Sequence, residues 1–395
     1  MGRILVGIFF WVIISGCQKE QVSSDTLPTE QFEKIEDYII IFKESRFAGM
    51  NSLVNENNYE QSFDVFQYEY NKILAQADVK PEQTTQTYIK VFNGCAVSMK
   101  RGDYLKLLAN VNVNSIVKDS TLKLLSSGFM GSCAIEGIET VPCGVGMLGA
   151  GRPYTGSNRV FILDTGVERD HPDLILSKNM QFSAYKHRND NKAIDRFGHG
   201  THVAGIIGAI ANNGIGVVGV APGVEIVPVK VIDDNGTGTI SSILAGIDYV
   251  KVKANPGDVV NMSIGGGAIN ILDNAVYDIS QKGIWFTIAA GNNSGDAAFV
   301  SPARTNGKYI CTVAAMTCEG TFAFFSNYGE GVVDYVAPGV NICSTSLNGG
   351  YASLSGTSMA APHAAGVILM TNGKPNSCGN VMCEKDNVYY KAICL

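Results

Sequence analysis

Three polar residues in this chain have the types and settings needed to activate a serine hydroxyl. Asp164 follows the apolar residues of ILDTGV, His199 lies in FGHGTHVAG, and Ser358 lies in SGTSMAAPHAAG. A serine hydroxyl is a weak nucleophile near neutral pH, so it needs a base, and an imidazole titrates in the required range. A carboxylate beside the imidazole holds its tautomer and stabilises the imidazolium that forms. The three residues therefore predict acyl transfer through a covalent serine intermediate.

Acyl transfer also needs hydrogen-bond donors for the negatively charged oxygen that develops in the transition state. A backbone N–H at the start of a helix is one such donor, and Ser358 opens a predicted helix. Asn292, in TIAAGNNSG, directly follows an apolar run and carries a side-chain amide. We therefore predict that Asn292 donates to the oxyanion.

The elements that must position these residues alternate along the chain. Short apolar runs are followed by stretches with helical periodicity, which predicts an α/β fold with a doubly wound, mostly parallel sheet covered on both faces. In such sheets the active residues lie at the carboxyl ends of the strands and in the loops that follow. The predicted strands are residues 159–164, 224–232, 258–264, 284–290 and 308–315, and the predicted helices are residues 199–212, 239–253, 270–283 and 357–370.

The first residues have the features of an export signal. Arg3 precedes an apolar run over residues 4–16. This run is shorter than the roughly 20 residues that span a bilayer, so residues 1–17 are predicted to be a signal peptide. No later stretch is apolar enough to predict a membrane span. The string ISGC also resembles a bacterial lipoprotein cleavage box, with Cys17 as the lipidated residue. Free secretion is favoured, and a lipid-anchored precursor is the alternative.

The remaining chain divides into two regions by composition. Residues 33–125 contain few glycines, a strand pattern at 37–45 and helical periodicity at 62–76 and 104–111, which predicts a small α/β domain. Residues 126–395 are richer in glycine and contain the strings described above. The whole chain has 395 residues, which favours two or three domains. Its net charge of −6 argues against a nucleic-acid-binding protein.

The three strings, in the order Asp, His and Ser, resemble those of the subtilisin-like serine peptidases. NMSIGGG, AAGNNSGDAAFVSPA and FSNYGEGVVDYVAPG extend the resemblance, which covers about residues 140–385 and is closest to the proteinase K branch. It implies a subtilisin-like fold and a serine endopeptidase. Its catalytic triad would be Asp164, His199 and Ser358, with Asn292 in the oxyanion hole.

The resemblance also implies how a peptide would be held. NMSIGGG would pair with the substrate backbone as an added strand, and AAGNNSG would wall the pocket for the residue before the cut. Residues 33–125 would be a propeptide that assists folding and inhibits the enzyme until it is cut, somewhere in about 124–139, from the catalytic domain of residues 126–395. The substrate-binding residues implied in this way are Ser263, Ile264, Gly265, Gly266, Ala289, Ala290 and Gly291.

Eight of the ten cysteines lie between residues 133 and 394. Export makes disulfides permissible, and the absence of paired C-x-x-C spacing argues against a zinc site. The resemblance places Cys311 at a disulfide position, with Cys378 or Cys383 as its partner. The chemistry requires no cofactor and no metal. Members of the family often bind structural calcium, and Asp334 lies near one such position.

The predicted function is that of a secreted endopeptidase that processes its own precursor. Its partners would be protein or peptide substrates and its own propeptide, and a monomer is expected. A broad specificity with a preference for apolar or aromatic residues before the cut is predicted, although Asp296 near the pocket leaves a basic preference open. The alternative is a catalytically silent protein of the same fold that binds a partner through its groove.

Overall fold

The computed structural model describes residues 32–55, 57–124, 131–133, 139–185 and 192–395. The predicted signal peptide, residues 1–17, lies outside the described residues, and so does Cys17. In the described part of the chain, no helix is long and apolar enough to cross a membrane.

The N-terminal region folds into a small α/β unit. Four antiparallel strands form one sheet in the order β2-β3-β1-β4. Helix α2 covers this sheet because its buried residues, among them Phe66, Tyr70 and Ile73, recur at the three- and four-residue spacing of one helical face. The elements are β1 (Ile35–Phe42), α1 (Ala48–Asn51), α2 (Tyr59–Leu74), β2 (Thr84–Tyr88), β3 (Gly94–Lys100), α3 (Arg101–Leu108) and β4 (Val113–Lys118).

The larger region is built on a sheet in which nine strands are described, in the order β18-β19-β15-β14-β13-β11-β7-β9-β8. All neighbouring pairs from β19 to β8 are parallel, and only β18 runs antiparallel to its neighbour. The remaining strands are β5 (Thr121–Leu124), β6 (Gly131–Ser132), β7 (Val160–Asp164), β8 (Phe182–Ser183), β9 (Ile226–Lys230), β10 (Thr237–Thr239), β11 (Val259–Met262), β12 (Ile264–Gly265), β13 (Trp285–Ala289), β14 (Ile310–Met316), β15 (Tyr335–Pro338), β16 (Ile342–Ser346), β17 (Gly350–Leu354), β18 (Asn376–Cys383) and β19 (Val388–Cys394). The remaining helices are α4 (Cys143–Met147), α5 (His199–Gly208), α6 (Ile240–Lys253), α7 (Asn270–Ser280) and α8 (Thr357–Met370).

The central strands read as continuous apolar runs because helices cover both faces of the sheet. Strand β7 shows the division. Phe161 and Leu163 lie in one apolar cluster with residues of α6 and α7, and Val160 and Ile162 lie in a second cluster with residues of α5 and α8. Alternate side chains of one strand thus point to opposite faces. This arrangement confirms the predicted doubly wound α/β fold.

The start of α6 and the end of α5 have different causes, one local and one not. Thr239 caps α6, because its side chain accepts a hydrogen bond from the Ser242 backbone N–H at 3.1 Å. Helix α5 was predicted to reach residue 212 but ends at Gly208. The chain turns back there, and the Gly219 N–H donates to the Ala209 carbonyl at 2.9 Å. A long-range contact therefore ends α5 earlier than its local sequence indicates.

The cysteine pairing differs from the one that the resemblance implies. The described disulfides are Cys133–Cys343, Cys143–Cys318 and Cys378–Cys394. The assignment of Cys311 to a disulfide was wrong, because Cys311 is a free thiol buried in the core on β14. Its expected partner Cys378 closes the β18–β19 hairpin, and Cys383 is also buried and free.

Candidate active site

The carboxylate and the imidazole predicted to act together lie side by side. Asp164 ends β7 and His199 begins α5. The His199 Nδ1 atom is 2.8 Å from Asp164 Oδ1 and 2.9 Å from Oδ2, and both side chains are buried. The close approach of α5 to the turn after β7 requires glycine at residue 200, where a Cβ atom would lie 2.0 Å from the Gly166 carbonyl oxygen. A proton held on Nδ1 by this carboxylate leaves Nε2 as the basic nitrogen.

The serine lies at the start of a second helix that packs against the first. Ser358 is the second residue of α8, and α8 contacts α5 directly. Its hydroxyl donates to the Ser263 carbonyl at 3.1 Å. The His199 Nε2 atom is buried and has no hydrogen-bond partner among the described residues. The structure thus places Ser358 and His199, the predicted nucleophile and base, on adjoining helices, with the serine hydroxyl turned towards the backbone of the segment after β11.

Of the three other histidines buried in the described part of the chain, His202 and His363 do not compete for the role of base. Burial lowers the pKa of His202 to about 3 and the pKa of His363 to about 4. Both rings are therefore neutral near pH 7. The His202 Nε2 atom contacts the carbonyls of Ile342 and Ala352, and the His363 Nδ1 atom contacts the Met359 carbonyl. Both rings are therefore held in the core by contacts to backbone carbonyls.

Asn292 lies beside the start of α8. Its Oδ1 atom accepts hydrogen bonds from the backbone N–H and the hydroxyl of Thr357, both at 2.9 Å. Because the side-chain oxygen is held on α8, the amide nitrogen is directed elsewhere as a donor. Thr357 precedes Ser358, so the nucleophile and this amide belong to one hydrogen-bonded unit. Such a donor, fixed before the reaction starts, is what a developing oxyanion requires.

A strand from the N-terminal region lies in the groove next to these residues. Strand β5 is the middle strand of a three-stranded antiparallel sheet between β10 and β12. Leu124 pairs with Ile264 and Lys123 pairs with Gly265. Since Ile264 follows Ser263, the end of β5 lies close to Ser358. The groove therefore accepts an extended peptide by adding it as a strand.

The side chain that ends β5 lines a cavity of about 460 Å³. Glycines form much of the wall, and because they carry no side chain, the cavity has room for a large substrate side chain. Asp296 lies at this cavity, but its carboxylate accepts a hydrogen bond from the Ala298 N–H at 2.8 Å and caps a short 3-10 helix. The lining consists of Leu124, Gly265, Gly266, Gly267, Gly291, Asn292, Asn293, Gly295, Asp296, Phe299 and Val300.

The structure separates the predicted substrate-binding residues into two groups. Ile264 and Gly265 pair with β5, and the Gly266 N–H donates to the Ser301 carbonyl at 3.0 Å. Ser263 contacts Ser358, since its carbonyl accepts from the Ser358 hydroxyl at 3.1 Å and its own hydroxyl donates to the Ser358 carbonyl at 2.9 Å. Ala289 and Ala290 are fully buried in the core. Of the second string, it is Gly291 and the residues after it that reach the cavity.

Two residues that support the site were not predicted from the sequence. Asn327 is buried and braces the loop of Asn292, because its Oδ1 accepts from the Asn293 N–H at 3.1 Å and its Nδ2 donates to the Ala290 carbonyl at 3.0 Å. Phe299 lines the cavity although it is 73% exposed. Asn327 stood within a string used for the resemblance. Nothing in that string indicated the loop that it braces.

The position considered for calcium does not form a site of side-chain ligands. Asp334 accepts a hydrogen bond from the Thr312 N–H at 2.8 Å, and burial raises its pKa to about 6. Among the described residues, no group of three or more His, Cys, Asp or Glu side chains could hold a metal ion. Calcium takes a shell of oxygen ligands, whereas the described partner of Asp334 is a backbone amide donor.

Comparisons with known proteins agree with this architecture. The profile of the Subtilase family matches residues 158–383. Proteinase R of Parengyodontium album is 34% identical over 329 residues, which cover 77% of this chain and 79% of that protein. Subtilisin Savinase of Lederbergia lenta is 40% identical over 249 residues, which cover 62% of this chain and 88% of that protein.

A solved structure gives the same result. The crystal structure of a cold adapted subtilisin-like serine proteinase matches with a TM-score of 0.54 and 33% identity, and the match covers 63% of this chain and 97% of that chain. The strings that carried the resemblance, the parallel strands from β7 to β15 and the paired Asp164 and His199 all fall within the matched region. The chain belongs to the subtilase family and is a subtilisin-like serine endopeptidase.

Proposed function

We propose that Asp164, His199 and Ser358 are the catalytic triad and that Asn292 completes the oxyanion hole. Rotation of the Ser358 side chain brings its hydroxyl to His199 Nε2, which takes the proton as the oxygen attacks the scissile carbonyl. The Asn292 amide and the Ser358 backbone N–H donate to the resulting oxyanion. The imidazolium then gives its proton to the leaving amine. Water then attacks the acyl carbonyl and gives its proton to His199 Nε2. The imidazolium returns that proton to the Ser358 oxygen as the acyl bond breaks.

The pairing of β5 with β12 carries the proposal for the substrate. A peptide held in this way lies extended, and the side chain before the cut enters the cavity that Leu124 lines. Apolar and aromatic side chains suit this cavity, because its one carboxylate, on Asp296, already serves as a helix cap. We therefore infer broad cleavage with a preference for apolar or aromatic residues before the cut.

Self-processing is expected to cut the chain within the first residues after Leu124, because β5 ends there beside the segment whose Ser263 carbonyl contacts Ser358. Purified precursor should be incubated, and the product identified by N-terminal sequencing. The precursor carrying Ser358→Ala is the matched control and should stay uncut. The matured enzyme should then cleave a peptide library mainly after apolar and aromatic residues. Cleavage confined to bonds after Lys or Arg would refute the specificity, and a cut in the Ser358→Ala precursor would refute self-processing.

We also infer that residues 33–125 act as the propeptide. Beyond β5, the unit contacts α6 through β2, and residues of both belong to one apolar cluster. Polar contacts lie within this interface as well, since the Tyr88 hydroxyl donates to the Ser241 carbonyl at 3.1 Å and the Gln86 amide donates to the Ala184 carbonyl at 2.7 Å. The unit therefore covers both the groove and helix α6 beside it, as an inhibitor that blocks substrate must.

A fully buried carboxylate on α6 accepts several hydrogen bonds from the N-terminal unit. Asp248 accepts hydrogen bonds from the Tyr59 hydroxyl at 2.6 Å and from the Lys90 N–H at 2.6 Å. The N–H groups of Ile89 and Val91 also point at it. A buried charge is tolerated only where donors replace its water, and here all four donors come from the N-terminal unit. Asp248 thus links the two regions specifically.

Replacing Asp248 with Ala is expected to speed release of the cut N-terminal unit about tenfold to a hundredfold. Hydrogen bonds to a charged group contribute about 1.5–3 kcal/mol, and the four donors would be left unpaired. The lag between self-cleavage and the appearance of peptidase activity measures the release. Tyr59→Phe removes one donor and should shorten the lag less. Asp278→Ala, an exposed carboxylate on α7, is the control. An unchanged lag in Asp248→Ala would contradict the assignment.

We propose that the enzyme acts outside the cell. The predicted export signal of residues 1–17 supports this, and the three disulfides of the catalytic region suit an oxidising compartment. A lipid anchor at Cys17 would leave with the propeptide after processing. The intact mass of the unprocessed precursor distinguishes the two possibilities, because a diacylated Cys17 adds the mass of its lipid.

A further inference from the structure

The first described residues after β5 form a second short strand, β6. Strand β6 pairs antiparallel with β17, with Ser132 opposite Ala352 and Gly131 opposite Ser353. It is the outer strand of a three-stranded sheet in the order β16-β17-β6. Cys133, directly after β6, is joined by a disulfide to Cys343 on β16. The strand is therefore held by backbone pairing and by a covalent bond.

The position of β17 relates this strand to the catalytic centre. Strand β17 ends at Leu354, and the chain continues directly into the start of α8 with Ser358. Strand β5 ends at Leu124 beside β12, which follows Ser263, the residue that contacts Ser358. Six residues, 125–130, separate Leu124 from Gly131. At about 3.3–3.6 Å per residue, the two ends of this connection are at most about 25 Å apart.

The direction of the chain then assigns a role to β17. In the uncut precursor, the chain that continues from Leu124 beyond the proposed cut reaches β17 at Gly131 and Ser132. The later residues of a substrate bound like β5 are therefore expected to run towards the same strand. Gly131 and Ser132 are the seventh and eighth residues after Leu124. An edge strand pairs readily with an extended peptide. Here that edge already carries a strand of the same chain.

We propose that residues 131–133 stay on β17 after the precursor is cut and limit how far a bound substrate can extend beyond the scissile bond. This inference rests on the proposed cut after Leu124 and on the proposed triad. Two residues of strand pairing are weak by themselves, because even an isolated two-stranded hairpin is marginal in water. The Cys133–Cys343 disulfide keeps the strand at a high local concentration beside β17, so a substrate strand must displace a tethered competitor.

The test compares two substrates that share the residues before the cut. The short one ends in a nitroanilide after that residue, and the long one continues for ten further residues. In the Cys133→Ser/Cys343→Ser variant, the ratio of kcat/KM for the long substrate to kcat/KM for the short substrate should rise about tenfold over that of the natural chain. A Gly131→Pro/Ser132→Pro variant keeps the disulfide but removes both backbone donors of β6, and the ratio should rise there too.

Two controls separate this inference from the proposed function. Cys378→Ser/Cys394→Ser removes the disulfide of the β18–β19 hairpin, and its ratio should equal that of the natural chain. Nitroanilide turnover reports on folding and on the triad in every variant, and Ser358→Ala should abolish it. An unchanged ratio in whichever β6 variants retain nitroanilide turnover would overturn the retained strand while leaving the triad intact. Loss of the short-substrate activity in Ser358→Ala alone would support the triad.

Discussion

Replacing Ser358 with Ala is expected to lower kcat about 10⁶-fold. The hydroxyl is the atom that would form the acyl bond, so its removal leaves the site without its proposed nucleophile. Replacing His199 with Ala should have a similar effect, because a serine without its base is as ineffective as a base without its serine. The double variant should lose little more, since the two groups act as one unit. Hydrolysis of a peptide nitroanilide measures all three variants.

Asp164→Asn provides the graded comparison. It keeps the shape of the side chain that contacts His199 Nδ1 but removes the charge, so kcat should fall about 10⁴-fold. Folding of each variant can be checked by circular dichroism after processing in trans by active enzyme. Equal losses for Asp164→Asn and Ser358→Ala would argue against separate roles for the two groups. Retention of more than a few per cent of kcat in Ser358→Ala would exclude Ser358 as the nucleophile.

Replacing Asn292 with Ala is expected to lower kcat about 10²–10³-fold and to change KM little, because the amide donates to an oxygen that is charged only in the transition state. Asn292→Asp keeps the size of the side chain but replaces the donor with a carboxylate, so its loss should be at least as large. Steady-state kinetics on the same nitroanilide give both parameters.

Asn274, an exposed asparagine on α7, supplies the control for this prediction. It lies outside the lining of the cavity, so Asn274→Ala should retain nearly full kcat. A rise in KM with unchanged kcat in Asn292→Ala would instead indicate a role in holding the substrate. That result would contradict the oxyanion assignment.

The fold was predictable where local sequence and burial agree. Strand β7 lies within its predicted range, and α8 has the predicted bounds. Both are continuous apolar segments that are buried in the core, so their sequence marks where they begin and end. Helix α5 shows the limit. Its periodicity continues to residue 212, but the return of the chain at Gly219 ends it at Gly208. Contacts between distant segments decide such boundaries, and a local pattern does not contain them.

The site shows the same division. Asp164 and His199 could be paired from the sequence because the chemistry demands both groups and the strings fit the family. The brace that Asn327 forms under Asn292 joins segments far apart in the chain and depends on loop geometry. The cysteines give a similar lesson, because a count and a resemblance did not show that Cys378 lies opposite the end of β19 and leaves Cys311 unpaired.

The two ends of the large sheet bear on how the enzyme behaves at high concentration. One end is β8, which has only two residues. The other is β18, whose register shifts between Ser377 and Asn380 and whose Cys378 is tied back to β19. Short or irregular outer strands are poor templates for recruiting another molecule. Removing β18 and β19 together would make the buried strand β15 a new edge strand. The shortened protein would then aggregate, because its unpaired backbone groups could pair with another molecule.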